Sequence, residues 1–137
     1  MTKKPETVNR EDLILKKDSL IYKKYAKVPF TGISEEFWKN GKLKEKINYK
    51  NGKFHGSYVS FYEDGQLWKK INYKNGKFHG SYVSFYEDGQ LWVIYNYKNG
   101  KEHGPYQVWY RDGRLQSRGN FKNGKQHGSS FYSLPFQ

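Results

Sequence analysis

Residues 46–68 recur without a single change as residues 70–92. A chain that repeats itself at a fixed short interval must give each copy the same local structure and then stack the copies, so this duplication limits the fold more than any other feature. The frame extends to weaker copies. Units of 24 residues begin at Gly32, Gly56, Gly80 and Gly104, giving 32–55, 56–79, 80–103 and 104–127, with a partial unit at 128–137. Thirteen of the fourteen glycines fall on three positions of this frame, so glycine placement is set by the repeat itself.

Each unit carries two turn signals. Asn40-Gly41, Asp64-Gly65, Asp88-Gly89 and Asp112-Gly113 mark one turn, and Asn51-Gly52, Asn75-Gly76, Asn99-Gly100 and Asn123-Gly124 mark the other. Asn-Gly and Asp-Gly reach the positive φ values that tight hairpins require, and here they separate stretches rich in β-branched and aromatic residues. Such frequent turns leave no room for a stable amphipathic helix. Each unit therefore reads as two strands of a β-hairpin.

With 35% hydrophobic residues but 19% aromatic ones, the apolar mass is Tyr, Phe and Trp rather than Leu, Ile and Val. Rows of rings can cover one or two sheet faces but cannot fill a thick interior between two layers. The expected fold is all-β: an elongated, single-layer, twisted antiparallel sheet of successive hairpins. Residues 1–31 lie outside the frame and read as an N-terminal cap that protects the first strand edge. Within it, Asn9 to Asp12 suit a short helical turn, and Leu13 to Lys16 can pair with Leu20 to Lys23 across Lys17-Asp18-Ser19. Pro29 and Pro135 punctuate the two ends.

A two-residue Asp64-Gly65 turn places Tyr62 opposite Leu67, Ser60 opposite Lys69 and Tyr58 opposite Ile71. One face then carries Tyr58, Tyr62, Leu67, Ile71 and Tyr73. The other carries Val59, Phe61 and Trp68, with Phe61 facing Trp68 and Phe85 facing Trp92. A three-residue turn with a glycine bulge would move this pairing by one. Phe61, Trp68, Phe85, Trp92 and Trp109 form the candidate partner-binding patch. Lys44 opposite Phe37 and Gln116 opposite Trp109 give it a polar rim, the layout of a docking site.

Three further groups of residues invite a chemical reading. His55, His79, His103 and His127 occupy one repeat position, which suggests a metal ladder. Copies two strands apart stand about 9–10 Å from one another, whereas ligands lie about 2 Å from a shared zinc ion, so each histidine is expected to pack or hydrogen-bond in its own connection. Glu63-Asp64 and Glu87-Asp88 are neighbouring carboxylates, but adjacent strand residues point to opposite faces and Asp at a turn supplies turn geometry. No nucleophile, base and orienting group recur together, and the chain reads as non-enzymatic, without cofactor, metal or small-molecule substrate.

Lys50, Lys53, Lys74, Lys77, Lys98, Lys101, Lys122 and Lys125 flank the four Asn-Gly turns. Alternate turns of a meander lie on opposite margins, so these lysines form one basic margin while Glu63, Asp64, Glu87 and Asp88 make the other acidic. With a formal net charge of +12, the basic margin suits an anionic lipid or nucleic acid, and equally suits edge protection and solubility. The chain has no cysteine, hence no disulfide or thiolate site. It shows no signal-peptide core and no apolar run of membrane-spanning length, so a cytoplasmic or virion-associated location is expected.

The motif Tyr73-Lys74-Asn75-Gly76-Lys77-Phe78-His79-Gly80, followed by Phe85-Tyr86-Glu87-Asp88-Gly89, resembles the MORN repeat (membrane occupation and recognition nexus). More narrowly, it looks like the bacterial MORN-repeat variant of YwqK-type antitoxin-like proteins. Arg10-Glu11-Asp12-Leu13 and Val28-Pro29-Phe30-Thr31-Gly32 are similar to the lead-in of those proteins. Tyr58, Tyr82 and Tyr106 depart from the pattern of many eukaryotic repeats, which place glycine there. The resemblance implies an elongated sheet of hairpins that acts in scaffolding, dimerisation or phospholipid association. The function expected is a repeat scaffold that binds another protein. The alternatives are a self-associating component of a phage particle or cell-surface structure, and a binder of anionic surfaces.

Overall fold

The computed structural model describes residues 4–133. Pro135 and the end of the partial unit lie outside the described residues. The N-terminal segment holds β1 (Thr7–Asn9), a single 3-10 turn at Arg10–Asp12, β2 (Leu13–Leu15) and β3 (Ile21–Lys23). The repeats supply β4 (Gly32–Phe37), β5 (Leu43–Lys50), β6 (Lys53–Phe61), β7 (Leu67–Lys74), β8 (Lys77–Phe85) and β9 (Leu91–Lys98). They continue through β10 (Lys101–Glu102), β11 (Gly104–Trp109), β12 (Leu115–Lys122), β13 (Lys125–Gln126) and β14 (Phe131–Tyr132).

From β4 onwards the strands follow one another in a single antiparallel meander, and β1 adds to its first edge in parallel with β4. The strands β2 and β3 form a separate two-stranded ribbon in antiparallel register. The repeat explains this topology. Asn51, Asn75, Asn99 and Asn123 all adopt φ near +50°, and each following glycine lies near +80°, the pair of left-handed conformations that a two-residue hairpin turn demands. Lys74 and Lys77 flank such a turn as a direct cross-strand pair, as Lys50 and Lys53 do.

The Asp-Gly turn differs from the two-residue expectation. The Tyr62 amide donates to the Gln66 carbonyl at 2.8 Å and the Gly65 amide to the Tyr62 carbonyl at 2.9 Å, so three residues form the loop. Phe61 consequently pairs with Leu67. The strand then absorbs Trp68 as a bulge, and Ser60 still pairs with Lys69 and Tyr58 with Ile71. Loop and bulge compensate, so the pairing deeper in the hairpin is the expected one while Leu67 and Trp68 exchange faces.

Trp68 therefore stands on the same face as Tyr58, Tyr62, Ile71 and Tyr73, not opposite to them. Its ring lies 5.7 Å from Tyr62, and the Lys69 ammonium sits 4.3 Å above it. In the next unit Phe85 pairs with Leu91, and Trp92 stacks on Tyr86 at 5.1 Å. The expected pairs Phe61–Trp68 and Phe85–Trp92 do not form. We call the side bearing Tyr58, Trp68, Ile71 and Tyr73 the ring face, and the side bearing Val59, Phe61, Leu67 and Lys70 the reverse face.

A second irregularity recurs at the other end of each hairpin. Between the pairs Ile71–Tyr82 and Tyr73–Phe78, β8 has two residues more than β7, and Gly80 takes φ +92° within the extra length. Asn72 bridges the gap through a 3.1 Å bond from its side-chain amide to the Ser81 hydroxyl, and Asn48 does so with the Ser57 carbonyl at 2.9 Å. Asparagine at this position thus satisfies backbone and side-chain groups that the bulge withdraws from the ladder.

Candidate functional site

The ring face is continuous along the side nearer the Asn-Gly turns. Phe30, Tyr49, Phe54, Tyr58, Tyr73, Phe78, Tyr82 and Tyr97 contact one another in sequence, with centroid separations from 4.8 to 6.4 Å. Tilted and edge-on contacts predominate, the arrangements in which ring quadrupoles attract. The row stops at Glu102, which replaces the phenylalanine of Phe54 and Phe78. Beyond it Tyr95 stacks on Tyr106 at 5.7 Å, and Tyr106 lies over Gly119, where an added Cβ would come within 2.8 Å of the ring.

Two further series of bonds tie each unit to the next. On the Asp-Gly side, Tyr62 donates its hydroxyl to the Phe85 carbonyl at 2.6 Å, Tyr86 to Trp109 at 2.6 Å and Tyr110 to Ser133 at 2.7 Å. Trp38 fills the same role in the first unit with its indole nitrogen, 3.3 Å from the Phe61 carbonyl. On the Asn-Gly side, His55, His79 and His103 accept through Nδ1 from the amides of Asn75, Asn99 and Asn123, at 3.3 to 3.4 Å. The histidines thus bond to the turn of the following unit rather than within their own connection. Thr31 takes that place for Asn51 at 2.9 Å. Neither series was legible beforehand, since sequence spacing does not say which turn a side chain overhangs.

The first unit is covered by the N-terminal segment. Phe30, Ile47 and Tyr49 form a buried cluster, and Val8, Leu13 and Ile21 from the N-terminal segment pack onto it. Ile47 is fully buried. At the edge of this cover the Arg10 guanidinium bonds to the Glu45 carboxylate, whose other oxygen accepts from the Tyr58 hydroxyl at 2.6 Å. Burial, then the bond to Glu45, holds the Tyr58 hydroxyl far above a tyrosine's usual range. In the third unit an open groove on the same face is lined by Tyr82, Ser84, Trp92, Val93, Tyr95 and Tyr97.

Of the sequence-predicted patch, Trp68 and Trp92 lie on the ring face, 36% and 39% exposed. The register places Phe61, Phe85 and Trp109 on the reverse face, paired with Leu67, Leu91 and Leu115. The five residues therefore do not form one patch, because each tryptophan-bearing bulge turns its ring to the other side. The eight margin lysines are all exposed and form four direct cross-strand pairs: Lys50–Lys53, Lys74–Lys77, Lys98–Lys101 and Lys122–Lys125.

The aspartates Asp64, Asp88 and Asp112 bond through their carboxylates to the amides two residues ahead, at 2.9 to 3.0 Å, which locks the loop. The neighbouring Glu87 instead pairs with Arg111 at 2.6 Å, and this charge-assisted bond holds its carboxyl below the usual range. Among the described residues no three His, Cys, Asp or Glu side chains are grouped to hold a metal ion, and no helix is long and apolar enough to cross a membrane.

A meander of near-identical hairpins, stitched unit to unit and carrying its chemistry as exposed rings and charges, defines a β-hairpin repeat scaffold. The family model described as "MORN repeat variant" matches residues 30–51, 54–75, 78–99 and 102–123, so the chain belongs to the MORN repeat family. That family is a repeat scaffold, generally involved in protein or membrane binding. No curated protein matches the chain.

Proposed function

We propose that the protein is a non-catalytic docking scaffold that holds another protein on the ring face of its second and third units. The observation that carries this reading is the contrast between units. The N-terminal segment packs onto Ile47 and Tyr49, which are buried, whereas the equivalent Tyr73, and Tyr95 and Tyr97, remain partly exposed, and Ile71 is buried at 4% exposure. Trp68 and Trp92 add exposed rings where the first unit has Lys44. Stiff amphipathic rings give large contact area for little lost entropy, which is why they anchor interfaces. Phe61, Phe85 and Trp109 form a separate strip on the reverse face. An antitoxin-like protein and a component of a phage particle or cell-surface structure are special cases of this scaffold, the docked protein being a toxin or another subunit.

Photo-crosslinking separates the faces. With p-benzoylphenylalanine at position 92 or 68, irradiation of cells of the natural host should yield adducts to another polypeptide, and the same group at position 85 should yield few. Adducts mainly from position 85 would move the site to the reverse face, and none from any position would contradict the proposal.

The lysine margin supports a second reading. Like charges directly opposite on neighbouring strands destabilise a sheet, yet four such pairs recur, and none of the eight lysines has an ion-pair partner among the described residues. Such a margin attracts an anionic surface. Changing Lys74, Lys77, Lys98 and Lys101 to Gln should alter stability by about 0.5 kcal/mol or less at each site. Binding to phosphatidylserine-rich vesicles at low salt should fall and its salt dependence flatten. Unchanged binding would remove this reading.

A further inference from the structure

The charge on the ring face reverses between the covered unit and the open one. Glu45 stands on the ring face of the first unit, paired with Ser60, and its side chain is only 16% exposed because Arg10 of the covering segment lies against it. One period later the equivalent residue is Lys69, flanked by Ser60 and Ser84 on its two neighbouring strands. Lys69 has no ion-pair partner among the described residues, and its ammonium rests over the Trp68 ring. Part of the apolar pattern around it is kept, since Ile71 repeats Ile47, Tyr73 repeats Tyr49 and Phe78 repeats Phe54, while Trp68 stands where the first unit has Lys44. The first unit sets Glu45 opposite Glu36, which Lys44 pairs, whereas the second sets Lys69 opposite Ser60 and beside Trp68, so an acidic position has become a basic one next to an added ring.

We infer that the second unit's ring face receives an extended apolar segment of another protein bearing a carboxylate where the covering segment bears Arg10. This occupant presupposes the docking role proposed above and gives it a chemistry. The first unit supplies the model. Val8 and Leu13 fill the space over Phe30, Ile47 and Tyr49, and Arg10 between them in sequence meets the charge at the rim. A cover of the same kind over Ile71 and Tyr73 meets an ammonium instead, and an acidic group opposite Lys69 is what such a contact requires. A second copy of this chain does not fit, because its own covering segment would bring Arg10 to Lys69 and its net charge of +12 would oppose the approach.

The test uses the full chain and two peptides with the sequence of residues 6–15, one unaltered and one carrying Arg10→Glu. Binding is read by the indole NMR signal of Trp68 at physiological salt, where attraction between distant charges is screened. The Arg10→Glu peptide should bind about tenfold more tightly than the unaltered one, and on Lys69→Glu protein the order should invert. Should that variant fold poorly, Lys69→Gln protein should simply lose the preference. Failure of both peptides to bind at millimolar concentration overturns the inference, as does a preference that ignores residue 69. Binding abolished by Trp68→Ser, followed on that variant by titration calorimetry because its reporting indole is gone, but indifferent to residue 69 overturns the acidic assignment while leaving docking on the ring face intact. A Trp68 signal that responds to phosphatidylserine vesicles and to neither peptide assigns this face to lipid and overturns it equally.

Discussion

Alanine in place of Gly32 should detach the N-terminal strand from the sheet. A Cβ at this position would stand 2.5 Å from the Glu6 carbonyl oxygen and 2.7 Å from the Phe30 ring. The first of these is backbone, held by the 2.8 Å bond from the Ile33 amide, so no side-chain rotation relieves the contact. Either β1 leaves β4 or Phe30 leaves the cluster with Ile47 and Tyr49, and both routes uncover the first unit. The expected cost is about 3 kcal/mol or more, at the upper end for a single substitution because it combines overpacking with a lost strand pairing. Loss of hydrogen-exchange protection at the Ile33 amide, with the amides of β8 and β9 unaffected, checks the effect. Unchanged protection at Ile33 would mean that β1 does not rest on β4 as described.

Ile47→Ala should cost about 2–5 kcal/mol, the range for truncating an aliphatic side chain that is wholly enclosed. Ile47 is 0% exposed, with Phe30 and Tyr49 beside it and the N-terminal segment above. The same change at Ile71 should cost distinctly less. Ile71 is almost as inaccessible, at 4%, but its neighbours are sheet residues without a covering segment, so the surroundings can close over the gap. Denaturant midpoints of the two variants measure the difference. Equal losses would mean that the covering segment contributes no packing to the first unit.

The sequence made the strand order legible because its signals are local. An Asn-Gly pair specifies its own turn, and identical copies must pair alike, so the meander and its period follow from a few residues. The 3-10 turn at Arg10–Asp12 and the pairing of Leu13–Leu15 with Ile21–Lys23 were legible for the same reason. The faces were not. Trp68 enters the strand as a bulge with no glycine to mark it, and one extra residue is enough to move a ring to the other side of the sheet. The unit-to-unit bonds of Tyr62, Tyr86 and His79 depend on where one hairpin overhangs the next, which spacing does not encode. The reversal from Glu45 to Lys69 was visible on aligning the units, but it acquired meaning only once Arg10 was seen against Glu45.

The open ring face is tested most directly by the melting temperature of the Trp68→Ser, Trp92→Ser double variant, taken with its capture of the partner identified by crosslinking. Rings that rest on the surface beside Tyr62 and Tyr86 should cost about 1 kcal/mol or less each, lowering the melting temperature by less than about 8 °C for a chain of this size. Partner capture should be lost. Rings that belong to an enclosed core would cost several kcal/mol apiece, as buried aromatics do, and a fall of more than about 20 °C would contradict a docking surface built on these two tryptophans.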